Sequence, residues 1–222
     1  MLANIKETRA ETLDEIFSWV NAYTEDFLFR GVSRAERELV PRVGRHPEKR
    51  TPELVAAAEL ELFKQFKRRS RPFLSEAVSD WELLAIMQHH GVPTRLLDWT
   101  RNPLVALFFA VQKEYNVDHA VYVFKREKDI PLDNSSPFDH NSVDVVMPDY
   151  FTPRINAQSG AFTIHPDPLE PFSGEELDKL VIAASATKPL LHRLWLYGIH
   201  SARLFPDMQG AADYVRWRER FL

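Results

Sequence analysis

Between Gln88 and Thr100 the chain reads Gln-His-His-Gly-Val-Pro-Thr-Arg-Leu-Leu-Asp-Trp-Thr, its densest run of titratable, polar and backbone-restricting residues. His89 and His90 bring imidazoles that exchange protons near neutral pH. Asp98 brings a carboxylate, while Thr94 and Arg95 bring a hydroxyl and a guanidinium suited to anionic partners. Apolar patterns on either side, Trp81 to Met87 and Leu104 to Val111, mark buried neighbours. A polar segment between them must satisfy its own hydrogen bonds or those of a ligand, and we read it as the floor of a pocket. Two readings stay open. In one, the histidines serve carbonyls at a helix end and Arg95 pairs with Asp98 to lock the turn. In the other, distant polar residues converge there, with Arg30 and Gln158 as candidates because each flanks a strand and a glycine.

The elements that must position these residues follow from periodicity and punctuation. Thr12 to Ala22 has helical spacing, with Leu13, Ile16, Phe17 and Val20 on one face. Asp26-Phe27-Leu28-Phe29-Arg30-Gly31 reads as a buried strand closing on an arginine, where Gly31 lets the backbone turn or approach a ligand closely. A basic loop runs from Arg34 to Arg50, broken by Pro41 and Pro47. Thr51-Pro52 starts a helix that reaches about Arg69, with Leu54, Ala58, Leu62 and Phe66 as its apolar face. A further helix runs from Ser79-Asp80 to His89 or His90, where the macrodipole favours imidazolium. Leu96–Trp99 is a strand, Asn102 to Tyr115 a helix, and Ala120–Phe124 a strand. Lys128 to Asn141 is a Pro/Asn/Ser/Asp-rich loop. Short strands are expected at 143–147, 161–165, 180–184 and 201–205, and helices at 187–198 and 211–221, the last capped by Asp207. Helices and short strands do not alternate regularly, so the expected class is α+β, with short mixed or antiparallel strands and packed helices.

Composition narrows the function. The 222 residues fit one large domain or two small ones and are ample for a sizeable core. A net charge of -4 excludes the whole surface as an electrostatic binder of nucleic acid, so any such contact must be local. No cysteine is present, which removes disulfides, thiolate nucleophiles and cysteine-ligated metals. No stretch approaches the roughly 18 apolar residues of a membrane span, and the N-terminus lacks a signal-peptide core. The expectation is a cytoplasmic protein without membrane contact. His-x-x-x-His, His-Glu-x-x-His, phosphate-loop, dinucleotide-glycine and nucleophile-elbow patterns are all missing, so no metal site is expected.

Phe29-Arg30-Gly31, the Gln88–Thr100 stretch, Asn102-Pro103-Leu104 and Ala106-Leu107-Phe108-Phe109-Ala110 together resemble the FRG domain family. Weaker matching features are Pro41 to Arg45, Gln158-Ser159-Gly160 with Phe162, Gly198-Ile199 and Leu204-Phe205-Pro206-Asp207, so the likeness extends over about residues 25–215 of a single domain behind an N-terminal helical segment, 1–24. At Glu38 to Arg42 the chain departs from the family's usual aromatic and Pro-Ser. The strand-Arg, strand-hydroxyl-helix and later polar-strand order is also similar to the skeleton of ADP-ribosyltransferases. That resemblance implies NAD as cofactor, Arg30 at its pyrophosphate or ribose, Thr100 in the hydroxyl position and Gln158 near where many such enzymes place a glutamate. A glutamine cannot serve as a general base.

The function expected from these residues is a nucleotide-handling enzyme that uses NAD to modify a protein or nucleic acid, or hydrolyses it, as a toxin or defence effector would. Arg30 and Arg95 would hold phosphates, His89 or His90 would orient ribose or move a proton, and Asp98 would act as acid/base or orient Arg95. Two rivals remain: a non-catalytic nucleotide or nucleic-acid sensor using the same pocket, and a nuclease-like toxin using His89 and His90.

Overall fold

The computed structural model describes residues 5–45, 51–74, 78–113, 116–126, 129–130, 135–147, 153–173 and 177–219. Among these, seven strands form one mixed sheet in the order β1-β7-β4-β2-β3-β6-β5. The strands are β1 (Lys6–Ala10), β2 (Phe27–Val32), β3 (Leu96–Thr100), β4 (His119–Lys125), β5 (Asp144–Val146), β6 (Gly160–Ile164) and β7 (Asp178–Ile182). Only β1 and β7 run parallel; the other pairings are antiparallel. The α+β expectation therefore stands. β1 is an addition, because its Lys-Glu-Thr-Arg-Ala sequence carries no apolar alternation and is recruited by register with β7.

One face of the sheet carries α1 (Leu13–Val20), α4 (Pro103–Val111) and α6 (Thr187–Leu196). They pack on Phe29, Val121, Val123, Leu180 and Ile182. Thr12 and Glu15 form a capping box at the start of α1, and Asn102 caps α4 ahead of Pro103. The α4 helix stops at Val111, short of the expected end, and Tyr115 lies outside the described residues. Gly31 is where β2 touches α4: a Cβ there would lie 2.0 Å from the Ala106 carbonyl oxygen. Its missing side chain is thus required by helix–sheet packing.

The β3-β6-β5 end is covered by α2 (Pro52–Ser70) and α3 (Asp80–His89) through Phe63, Trp81, Leu84, Phe162 and Ile164. The α2 helix turns a different stripe inward from the one expected. Leu54 is 60% exposed, whereas Val55, Glu59 and Phe63 are buried. A one-residue rotation, about 100°, puts a carboxylate in the core. The reason is its partner: Glu59 accepts the Arg95 backbone N–H at 2.6 Å and the Arg95 Nε–H at 2.8 Å.

At the C-terminal end the expected strand at 201–205 is instead the short helix α7 (Ser201–Leu204), closed by Leu204 N–H to His200 O at 3.0 Å. The last helix, α8 (Met208–Glu219), begins where the Asp207 carboxylate accepts the Gly210 N–H at 2.8 Å. The remaining helix, α5 (Pro153–Ala157), precedes β6. The basic stretch 46–50 and the expected stop at Pro148 lie outside the described residues. No helix among the described residues is long and apolar enough to cross a membrane.

Candidate functional site

The sheet is loosely joined at one seam. β4 matches β2 over six residue pairs and β6 matches β3 over five, yet β2 meets β3 in register only at Phe29 and Thr100. Along this seam lies a cleft of about 1050 Å³, walled by β2, β3, the start of β6, the Arg37–Arg45 loop and the end of α3. Arg30 spans the opening. Its Nη1 donates to the Asp98 backbone carbonyl and stands 3.6 Å from the Asp98 carboxylate. A guanidinium thus stands in for a ladder bond, and the Arg30 Nε stays buried with no hydrogen-bond partner. Arg30 lies within β2, which continues to Val32, so it does not close the strand as expected.

The electrostatics of the cleft are one-sided. Among the described residues, Arg30, Arg37, Arg42, Arg45, Lys113 and Arg154 line it against Glu38 and Asp98. Arg37, Arg42 and Arg45 spend their bonds on neutral oxygens: Ser33 Oγ at 2.9 Å, Gly91 O at 2.7 Å and Val40 O at 2.8 Å. Arg154 lies over the Phe205 ring, 4.3 Å from its centre. Arg45 is exposed at the residue level but has its head partly desolvated by the cleft. That desolvation, then the charges of Arg30, Arg37 and Arg42, pushes its guanidinium down to about 10. Burial likewise lowers Arg30, against the opposing pull of Asp98. Cations held this close without matching carboxylates are an anion-binding arrangement.

The predicted site residues divide into two groups. Arg30, Gly31, His89, Asp98, Thr100 and Gln158 all line the cleft. His90, Thr94 and Arg95 do not. Arg95 is 3% exposed and paired with Glu59, so it holds α2 to β3 and does not pair with Asp98. Thr94 is fully buried; its hydroxyl donates to Gln88 Oε1 at 2.7 Å and accepts the Leu96 N–H at 3.1 Å. Gln88 in turn gives its amide to the Asp98 carboxylate at 3.0 Å, so Thr94 positions Asp98 indirectly. His90 is exposed and does not line the cleft, its ring centre 5.0 Å from that of His89 and 6.4 Å from that of Phe66.

Two further polar groups are already committed. Thr100 Oγ1 donates to the Gln158 carbonyl at 2.6 Å and accepts the Asn102 N–H at 3.0 Å. The Gln158 amide donates to the Leu204 carbonyl at 3.0 Å. For His89 the expected imidazolium is reversed: burial, then the charges of Arg154 and His90, hold its pKa at about 4. Desolvation and nearby cations outweigh a helix-end effect worth at most about 2 kcal/mol, leaving His89 neutral at pH 7, a hydrogen-bonding group and a weak base. Arg37, Arg42, Arg45 and Arg154 were not singled out as site residues. The signal of the first three was present only as basic loop composition, which ordinarily means a solvated face, and Arg154 stands by itself on α5. Among the described residues, no three His, Asp or Glu side chains converge as metal ligands.

Behind Arg30, the Trp99 indole N–H donates to Thr163 Oγ1 at 2.9 Å, which lies 2.9 Å from His165 Nε2. With its oxygen receiving the indole proton, the threonine is placed to donate to a neutral His165. Burial, then the Arg30 charge, pushes His165 down to about 4. Because the folded value lies below the unfolded value of about 6.5, the unfolded chain binds the extra proton between the two. The contribution of this group is therefore fully present above pH 6.5, and about 2–3 kcal/mol of it is lost on the way down toward pH 4. Urea titrations at pH 7 and 4.5 are expected to show a markedly smaller loss in His165→Gln than in the parent. Equal losses would remove the buried imidazole as the cause.

Compared with known families, residues 25–119 match the model of the FRG domain. The match opens just before β2 and closes at the first residue of β4, taking in Arg30, the arginine loop and the central polar stretch. No curated protein and no solved structure matches the chain significantly.

Proposed function

Taking residues 25–119 as an FRG domain, we propose that the chain binds a nucleotide through its phosphates and acts on NAD in the manner of an ADP-ribosyltransferase or NAD hydrolase. The observation that carries this is the excess of six cations over two carboxylates among the described residues of a cleft at the weakest seam of the sheet. The buried, unpartnered Arg30 Nε is a donor that an anionic oxygen would satisfy. Arg30, Arg42 and Arg45 would hold the pyrophosphate on one wall, and Arg154 on the other. NAD supplies the scissile bond between nicotinamide and ribose. That bond breaks with its electron pair leaving on nicotinamide, and an acceptor oxygen or nitrogen, from water or a macromolecule, bonds the ribose carbon. Asp98 faces the cation that develops on the sugar, and neutral His89 accepts a hydrogen bond from the acceptor, whose proton passes to solvent.

Gln158 favours a second reading. It cannot act as a base, and its amide is held by Leu204 O. A sensor that binds nucleotide without turnover would need nothing more than the arginines. The arrangement gives least support to a two-histidine nuclease, since His90 is not in the cleft.

Calorimetry with ADP-ribose and NAD, together with nicotinamide release, separates these. Binding of ADP-ribose with nicotinamide release abolished by Asp98→Asn supports the enzyme. Binding without release supports the sensor. Absence of binding to either ligand overturns the nucleotide reading.

A further inference from the structure

A second cavity of about 630 Å³ opens beside the first and shares Phe109, Gln112, Lys113 and Arg154 with it. The first cavity alone already lies at the upper end of the roughly 300–1,000 Å³ that a drug-sized ligand occupies, so a single nucleotide leaves the second space unused. Its walls differ in kind. Trp195 and Trp217 lie with ring centres 6.2 Å apart and planes tilted by 37°, and Phe205 meets Phe109 edge to face at 6.0 Å. His200 lines the same wall, and its Nδ1 is buried with no hydrogen-bond partner.

Charge decides between the occupants that such aromatic walls can take. A cationic side chain would suit an aromatic cage. Here, however, Lys113, Arg154 and Arg216 outnumber Asp207 and Asp213. Asp213 is already bound to Arg216, and Asp207 caps α8. Counted over its described lining the cavity is net positive, and two of its three cations, Lys113 and Arg154, lie at the mouth it shares with the larger cleft. That combination suits a neutral planar ring carrying an anionic group on the cleft side.

We propose that this cavity is a second subsite that stacks a nucleobase and seats its phosphate at the junction of Lys113 and Arg154, so that the chain holds a base-and-phosphate unit beside the nucleotide of the main cleft. The unit comes from a single-stranded nucleic acid or from a free mononucleotide. The proposal deepens the nucleotide reading by naming what the second ligand is, and it rests on that reading only for the identity of the first.

Anisotropy of a fluorescein-labelled pentanucleotide, with AMP as competitor, tests it on the whole chain. The oligonucleotide is expected to bind, and to lose about tenfold in affinity in Trp195→Ala, the scale of one base–aromatic stack. Arg216→Glu, an exposed substitution that turns the local balance negative, is expected to cost a similar factor without touching the aromatic packing. AMP displacing the probe at matching concentrations identifies the free mononucleotide as sufficient; failure to displace it identifies the strand. Saturating ADP-ribose is expected to weaken binding of the probe without displacing it, since Arg154 lines both cavities while Trp195 and Trp217 line only the second. No binding of oligonucleotide or AMP, or equal binding by parent, Trp195→Ala and Arg216→Glu, overturns the subsite. Neither outcome depends on whether ADP-ribose binds, so the two readings fail separately.

Discussion

Glu59→Ala is expected to lower the unfolding free energy by about 3–5 kcal/mol, the range for removing one partner of a buried ion pair. Glu59 is fully buried, and its two carboxylate oxygens receive the backbone N–H and the Nε–H of Arg95. Desolvation raises the Glu59 pKa, with Arg95 opposing it. Alanine would leave the Arg95 guanidinium, 5.0 Å from the Phe138 ring centre, with no countercharge in a site closed to water. The pair joins α2 to the residue just before β3, so its loss loosens the strand that forms one wall of the cleft. Urea unfolding of Glu59→Ala and of Glu59→Ala/Arg95→Met separates the parts: removing both charges should recover much of the loss. A single variant within 1 kcal/mol of the parent would show that water reaches the pair and that α2 is held by Phe63 and Val55 alone.

Arg30→Ala should reduce ADP-ribose affinity about a hundredfold, corresponding to roughly 3 kcal/mol, within the range for truncating a buried, hydrogen-bonded charge. Arg30 is largely shielded, with 13% of its side chain accessible, whereas Arg37, Arg42 and Arg45 are exposed. It also ties the Asp98 carbonyl across the seam. Arg30→Lys keeps the charge but loses the forked donors, and about a tenfold loss is expected from it. Arg42→Ala, at the exposed rim, should cost only a few-fold. Calorimetric titration of the three variants, with circular dichroism to verify folding, gives the ranking. Equal affinities for Arg30→Ala and the parent would mean that the anion sits elsewhere and that Arg30 only staples β2 to β3.

Much of the secondary structure was legible because it is written in local chemistry. Thr12, Thr51, Ser79 and Asn102 each stand where a helix needs an acceptor, and each caps one. Gly91, with φ 78°, ends α3 as a left-handed residue must. The location of the cleft was legible too, since Arg30, His89, Asp98 and Gln158 converge as their sequence contexts suggested.

What the residues do within the cleft was not legible. Arg95 and Asp98 are three apart and oppositely charged, yet they do not pair. Arg95 stands just before β3 and turns into the core against Glu59 of α2, whereas Asp98 lies exposed in the middle of the strand beside Arg30, so each charge takes the partner its own surroundings offer. The composition and spacing of this chain by themselves determined its helix starts, its α+β class and where its polar residues concentrate, because capping and periodicity act over a few residues. The tertiary structure alone decided the inward face of α2, the neutral state of His89 and the assembly of Arg45 and Arg154 into one cationic cleft. Those outcomes depend on desolvation and on charges brought together from distant segments, and no local pattern encodes either.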